Sequence, residues 1–486
     1  MKNVKNPAVQ VNSSSLEKYE EAHTRFLQNF PSYSNTQPLD ELRRTEYSRL
    51  ERLGQIYLDY TGGGLYSDRQ VQAHLDLLQN NVFGNPHSTN PTSKAMTRRV
   101  ESARRSVLAF FNASPKEYVC IFTQNASGAL KLVGEAYPFT PDSHYLLTFD
   151  NHNSVNGIRE FARAHGAAIH YAPVNPPEMR IDAGKLAALF DQANPDAHNL
   201  FAYPAQSNFS GVQHDLAWID RAQQKGWDVL LDAAAFAPTN PLDLSAVHPD
   251  FVCLSFYKIF GYPTGVGALI ARRGALAKLH RPWFAGGTIT VASVQGDRYF
   301  LHGGAEGFED GTLNYLTLPA VEIGLEHIQR IGYDAIHTRV ACLTGWLLEQ
   351  FSGLRHSNGQ PVVKIYGPLD THLRGGTITM NFFDPRGHFV DHLRVEDRAN
   401  QKQISIRTGC FCNPGGGELA LGLTAGELQT CFSLKSRMEF QDFQRCIDDK
   451  STGAVRVSVG LVSNFADVYH LIDFAHQFID KNSDEV

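Results

Sequence analysis

Between Tyr57 and about Leu318 the chain alternates short apolar runs with segments of helical periodicity, and few architectures accept that alternation. The runs are "YVCIFT", "HYLLTF", "AIHYAPV", "NLFAYPAQ", "DVLLDAAA", "FVCLSF" and "GVGALIA". Between many of them lie amphipathic stretches such as "NGIREFARAHG" and "LAWIDRAQQKG". Strands alternating with helices predict an α/β domain on a largely parallel sheet covered on both faces.

The flanks read differently. Residues 1 to about 50 are polar, with helix-like charge in "SLEKYEEAHTRFLQNF" and "DELRRTEYSRLERLG", and suggest an arm leading into the body. After Leu318 a long helical segment, "LPAVEIGLEHIQRIGYDAIHTRVACLTGWLLEQF", gives way to shorter strands such as "GGTITMNFF" and "GAVRVSVG", as when a large α/β domain passes into a smaller α+β one. The expected division is an arm over 1–52 that contributes to the small domain, a large domain over 53–320, and a small domain over 321–486. A chain of 486 residues has room for both domains.

Net charge narrows the partners. At −6 the chain offers no basic field for a nucleic-acid backbone. No secretory stretch opens it and no apolar run has the length of a membrane span, so a soluble, cytoplasmic protein is expected, with neither nucleic acid nor membrane as partner. Seven cysteines, an odd number without dense spacing, give no disulfide framework, and reduced thiols are expected. Cys120, Cys253 and Cys342 lie in apolar patterns and read as core.

Ligands of open parallel sheets gather at the carboxyl ends of the strands, where several of these runs carry reactive or polar residues. "YVCIFT" runs into "QNASGALKLV", where small residues open a helix and the amides near Ala126 and Ser127 suit a phosphate. "HYLLTF" leads to His152, "DVLLD" ends on Asp232, and "FVCLSF" leads to Lys258. Taken singly, Lys258 reads as a solvated loop residue, Asp232 as a helix cap and His152 as a satisfied loop histidine. Taken together, a phosphate cup, a flat ring, a carboxylate and an amine match the needs of pyridoxal phosphate (PLP). Its aldehyde takes a lysine, its ring nitrogen an acid, and its phosphate backbone donors.

Nine motifs then carry a resemblance: "YLDYTGGGLYS", "GNPHSTNPTS", "AQSNFSG", "LDAAAF", "SFYKIFGYPTGVGAL", "AGGT", "FEDGTLNY", "RTGCFCNPG" and "GAVRVSVG". In this order, over roughly residues 50 to 480, the chain resembles the class V aminotransferase and cysteine desulfurase group of fold-type I PLP enzymes. More narrowly, it is similar to the N-terminal desulfurase domain of molybdenum cofactor sulfurases. The resemblance implies Lys258 as the Schiff-base lysine, Asp232 as partner of the ring nitrogen and His152 stacked on the ring. It places Asn208 near the ring hydroxyl or the substrate carboxylate, and Ala126, Ser127 and Ser255 around the phosphate. Gly287 and Thr288 would reach the cofactor of a neighbouring subunit in a homodimer. Arg456 stands in the family's place for the substrate carboxylate, with Arg407 nearby, a task that suits a guanidinium fork.

The cysteines select the reaction. In "RTGCFCNPG", Cys410 and Cys412 flank one phenylalanine on a glycine-rich and therefore mobile loop. By motif position Cys412 matches the persulfide-forming cysteine of the desulfurases, which implies L-cysteine as substrate, L-alanine as product, and sulfur passed to an acceptor protein or cofactor. Other readings stand beside it. The two thiols can be inert loop residues, or can join Cys431 and Cys446 in a four-thiolate metal site, although the irregular spacing argues against metal. The fold also hosts aminotransferases, β-lyases acting on cysteine conjugates, and epimerases, and a non-enzymatic PLP-binding sulfur carrier or scaffold has the same residues. Two departures from the sulfurases are expected to matter. The chain stops at Val486 without their further acceptor domain, and "CNPGGGE" has Gly417 where their loop commonly carries another cysteine, so a relay would use Cys410 or a partner protein.

Overall fold

The computed structural model describes residues 13–86, 88–433 and 453–485. All seven apolar runs become strands of one sheet: β1 (Tyr118–Thr123), β2 (His144–Thr148), β3 (Ala168–Ala172), β4 (Asn199–Pro204), β5 (Trp227–Asp232), β6 (Phe251–Ser255) and β7 (Gly267–Arg272). They lie side by side in the order β1-β7-β6-β5-β4-β2-β3. Pairings from β3 across to β6 are parallel, and β7 runs antiparallel to both its neighbours. The reason is length. Parallel neighbours need a crossover of about a dozen residues or more, and the 11 residues 256–266 between β6 and β7 include a short helix, Phe256–Phe260, that uses up much of the span.

Both faces of the sheet's inner strands are covered, which is why those strands are mostly apolar, while the edge strand β3 is half-buried. In β1, Val119 and Ile121 pack with Leu130 and Val133 of helix Ala126–Ala136. Cys120 and Phe122 face the other way, toward the layer that contains Val107 and Leu108 of helix Pro91–Phe110. Cys120, Cys253 and Cys342 are buried, as the apolar pattern predicts.

A second, antiparallel sheet follows: β8 (Val363–Tyr366), β9 (Thr377–Phe382), β10 (Arg407–Gly409) and β11 (Ala454–Ser458), in the order β8-β9-β11-β10. The N-terminal helices Ser13–Asn29 and Gln37–Glu46 pack beside it through an aromatic cluster. In that cluster the rings of Phe26 and Phe465 lie 4.7 Å apart, and those of Trp346 and Phe465 5.1 Å. Arg339, fully buried, spends its whole guanidinium here. It donates to Thr36 Oγ1 (2.7 Å), Thr36 O (2.7 Å), Ser463 O (3.1 Å) and both oxygens of Asp40 (2.7 and 2.9 Å). Among the described residues no helix is long and apolar enough to cross a membrane.

Candidate active site

The carboxyl ends of β1, β2, β5 and β6 converge on one small cavity of about 120 Å³. Its walls include Ala126, Ser127, His152, Asn208, Asp232, Ser255 and Lys258. Helix Ala126–Ala136 starts there, capped by Asn125, whose side chain accepts from the Gly128 amide (2.9 Å). The Ala126 amide donates to Ser255 Oγ (2.8 Å), which ties the end of β6 to the helix start, and Ser127 Oγ lies 2.5 Å from Ser154 Oγ. The start of this helix, with the Ser127 and Ser255 hydroxyls beside it, makes an anion cup.

Lys258 sits in the short helix after β6, and the "TGGG" run holds it down. The Gly64 amide donates to Tyr257 O (3.0 Å), and a Cβ on Gly64 would lie 2.9 Å from Lys258 O. Gly261 ends that helix at φ +79°, where a Cβ would sit 2.3 Å from the Leu65 carbonyl carbon. Only glycine allows the two segments to approach so closely. Desolvation in the cleft pushes the Lys258 ammonium below its usual pKa, with Asp232 opposing and Arg456 reinforcing the shift. A larger share of neutral amine is available for chemistry as a result.

His152 caps the helix that follows it, with Nδ1 accepting from the Ser154 amide (3.1 Å), so its proton resides on Nε2 when the ring is neutral. Desolvation lowers its pKa against the pull of Asp232, and the flat face of a neutral imidazole results. Asp232 is buried. One oxygen accepts from the Ala234 amide (3.0 Å), and among the described residues Oδ2 has no hydrogen-bond partner.

Arg407 and Arg456 face each other directly across β10 and β11. Asp59, from the "YLDYTGGG" motif, lies between them. It accepts from Arg407 Nε (2.9 and 3.1 Å) and Nη2 (2.6 Å), and from Arg456 Nη2 (3.1 Å). Arg456 Nη1 donates to Asn208 O (3.0 Å), while its Nε is buried without a partner. Burial pushes the Arg456 pKa down to about 10, although Asp59 pulls it up.

The cysteine loop differs from its expected mobility: it is strapped down. Phe411 and Cys412 both take positive φ, +56° and +54°. Asn208 Nδ2 donates to Phe411 O (2.8 Å), and the Asn153 amide donates to Cys412 O (2.7 Å). Asn413, fully buried, donates through Nδ2 to Asp150 O (2.6 Å) and Asn208 Oδ1 (2.9 Å) and accepts the Gly416 amide (3.0 Å). Its glycines serve close packing instead of motion, since a Cβ on Gly415 would lie 1.9 Å from Phe149 O. Phe411 is buried beneath the Arg456 guanidinium (4.6 Å), leaving Cys410 and Cys412 exposed on either side. Cys412 is within electrostatic reach of Arg456, whereas Cys410 borders a separate apolar cavity with Pro414, Gly417 and Leu421.

The other expected residues lie apart. Arg407, Arg456 and Cys412 do not line the small cavity but stand around it, the two arginines felt electrostatically at Lys258. Gly287 and Thr288 precede an exposed hairpin (Ile289–Ser293 with Arg298–Leu301), and the Thr288 hydroxyl is engaged by Ala285 N and O. They do not line this chain's own cavity. Cys431, expected to be reduced, is disulfide-bonded, and Cys446 lies outside the described residues. Among the described residues no cluster of His, Cys, Asp or Glu could hold a metal ion. Sequence reasoning assigned no role to Asp59, although its motif was visible, and passed over Asn413, whose signal is an Asn before Pro at a helix start.

Residues 56–471 match the family model for aminotransferase class-V. A molybdenum cofactor sulfurase of Arabidopsis thaliana is 38% identical over 92% of the chain, which spans 60% of that relative. The Bos taurus molybdenum cofactor sulfurase is 39% identical, with 90% of the chain spanning 51% of the relative, so the chain covers only about half to three fifths of such proteins. Among solved structures, the apo cysteine desulfurase of Thermococcus onnurineus NA1 superposes with a TM-score of 0.74 at 23% identity, covering 90% of this chain and 97% of that one. That likeness shows the fold-type I architecture expected from the motifs. On the match of its residues 56–471, the chain belongs to the aminotransferase class-V family.

Proposed function

We propose that this cleft carries out PLP-dependent cysteine desulfuration, converting L-cysteine to L-alanine and leaving the sulfur as a persulfide on Cys412. The observation that carries the reading is the meeting of an amine, a carboxylate and an anion cup in one cavity, with an exposed thiol in electrostatic reach of a guanidinium at its edge. The donor set fits the cofactor: Ser127, Ser255 and the amides around Ala126 for the phosphate, the His152 face for the ring, Asp232 Oδ2 for the ring nitrogen, Lys258 for the aldehyde. When bound, PLP supplies an electron sink for charge developing on the substrate.

The chain's own residues do the rest. Arg456, with an unused Nε, receives the substrate carboxylate, and Asn208 helps to orient it. Lys258, its pKa held down, takes the Cα proton as a base. Cys412 thiolate then attacks the substrate sulfur. The new S–S bond forms as Cβ–Sγ breaks, the bonding pair stays with carbon and is protonated, and alanine leaves. Overall, one thiol and one L-cysteine become one persulfide and one L-alanine.

The relatives named as molybdenum cofactor sulfurases suggest an acceptor linked to that cofactor, reached in the cytoplasm. The division into an arm over 1–52, a large domain over 53–320 and a small domain over 321–486 belongs to the same reading. So does a homodimer in which Gly287 and Thr288 meet the neighbour's cofactor. Exposed Trp283, Phe284, Val291 and Phe300 beside them supply apolar surface for that contact.

The test is to incubate reduced, PLP-loaded protein with L-cysteine and assay alanine, pyruvate and protein-bound persulfide, with Cys412→Ser alongside. Equal yields of alanine and persulfide, both lost in Cys412→Ser, are expected. Pyruvate, or turnover indifferent to Cys412, would point to a β-lyase or an aminotransferase instead.

A further inference from the structure

We infer that Asp59 is a specificity-determining residue: a fixed internal carboxylate that sets the site's charge so that amino acids with one carboxylate are accepted and those with a second anionic group are refused. The inference rests on the reading that Arg456 receives the substrate carboxylate.

Arg407 and Arg456 are directly opposed across two antiparallel strands, a placement at which like charges repel. Asp59 resolves the repulsion by taking hydrogen bonds from both. Two guanidinium groups and one carboxylate leave a formal charge of one. A single substrate carboxylate neutralises that charge, and Arg456 Nε, buried and unpartnered, is the donor kept for it. A second anionic group would enter a site whose guanidinium charge is already balanced, and an unpaired buried charge is costly.

Asp59 cannot swing aside to offer more. The backbone on either side is locked to β11, with the Ser458 amide donating to Leu58 O (2.7 Å) and the Tyr60 amide to Ser458 O (3.4 Å). The turn beyond it folds back, since the Gly62 and Gly63 amides donate to Asp59 O (3.0 and 3.2 Å). A Cβ on Gly62 would lie 2.5 Å from Asp59 Oδ2 and 2.7 Å from Arg407 Nη2, so the turn closes over the carboxylate. Only a tenth of the Asp59 side chain is exposed, against half of Arg407. The charges of this trio are felt at Lys258, so they face the reacting amine.

The experiment measures equilibrium binding of L-alanine and of L-cysteic acid to the PLP-loaded protein, followed by cofactor absorbance, in the wild type, Asp59→Asn, Arg456→Met and the double variant Asp59→Asn/Arg407→Gln. Wild type is expected to prefer alanine. Asp59→Asn should tighten cysteic acid about tenfold relative to alanine, and the double variant, which restores the net charge, should restore the wild-type ratio. A ratio unchanged in Asp59→Asn, or both ligands weakened equally, overturns the inference, and Asp59→Ser, which removes the same charge, supplies the same test if Asp59→Asn does not fold. Should Arg456→Met bind alanine as wild type does, the carboxylate reading itself fails, and the inference with it.

Discussion

The N-terminal arm and the cleft both bury arginine, and they treat it in opposite ways. Under the N-terminal arm, Arg339 and Arg43 have every guanidinium nitrogen occupied, Arg43 by Val462 O (2.8 Å), Asp467 and Glu51. At the cleft, Arg456 is equally buried, yet its Nε has no partner and burial lowers its pKa to about 10. The full bonding of Arg339 and Arg43 avoids the free energy that each unmet buried donor costs. The open donor of Arg456 carries that cost, which a bound carboxylate would relieve. Buried Arg281 and Arg374 also keep unpartnered nitrogens, so what sets Arg456 apart is its place, close enough to Lys258 for its charge to be felt there.

The sharpest way to break this contrast is to remove groups on each side and read activity and stability separately. Lys258→Ala should lower alanine formation by about a thousandfold or more while leaving the urea midpoint in place. Loss of folding in step with activity would erase the distinction. Arg43→Met should cost about 3–5 kcal/mol of stability, because buried Asp467 loses its partner. Arg456→Met should cost less stability than Arg43→Met, since Asp59 keeps Arg407, yet it should abolish saturable alanine binding. Equal stability losses in the two variants would refute the comparison.

A pH scan sharpens it further. On the arm side, burial and the Arg330 guanidinium push the His327 pKa down to about 4, and Arg330 and Tyr47 occupy both ring nitrogens. The ring stays neutral in the folded chain but titrates near 6.5 when unfolded, so this stability is complete above about pH 6.5 and is lost as pH falls toward 4. The loss totals roughly 3 kcal/mol, read as a falling denaturation midpoint that His327→Gln should flatten. The smallest expected effect belongs to the strap. Asn413→Ala should reduce persulfide formation about tenfold and speed alkylation of Cys412 in the cofactor-free protein, because the thiol is then less firmly placed. Unchanged alkylation would show that the strap does not position it.

Much of this site was legible because its signals are local. The inner strands of the central sheet are buried on both faces and show as apolar runs, and His152, Asp232 and Lys258 follow directly from their ends. The strap and Asp59 were not legible, for a different reason. Asp59 takes its meaning from arginines 348 and 397 positions away, a pairing that no local pattern encodes. The glycines near Cys412 read as a mobile loop because composition cannot distinguish a glycine that bends from one that makes room for Phe149 or Phe209. The reversal of β7 was likewise hidden, since an apolar run carries no direction.

The arm has one more consequence, and it concerns time. Arg43 meets Asp467 across 424 positions, so on the ribosome the arm emerges long before the partner that completes its bonds. The central sheet, finished by Arg272, can settle while the arm still waits. Asp59, near the start, likewise waits for Arg456, near the end. The pocket that chooses the substrate is therefore among the last parts of the protein to be assembled, and a nascent chain that stalls before then holds Lys258 but no means of selection.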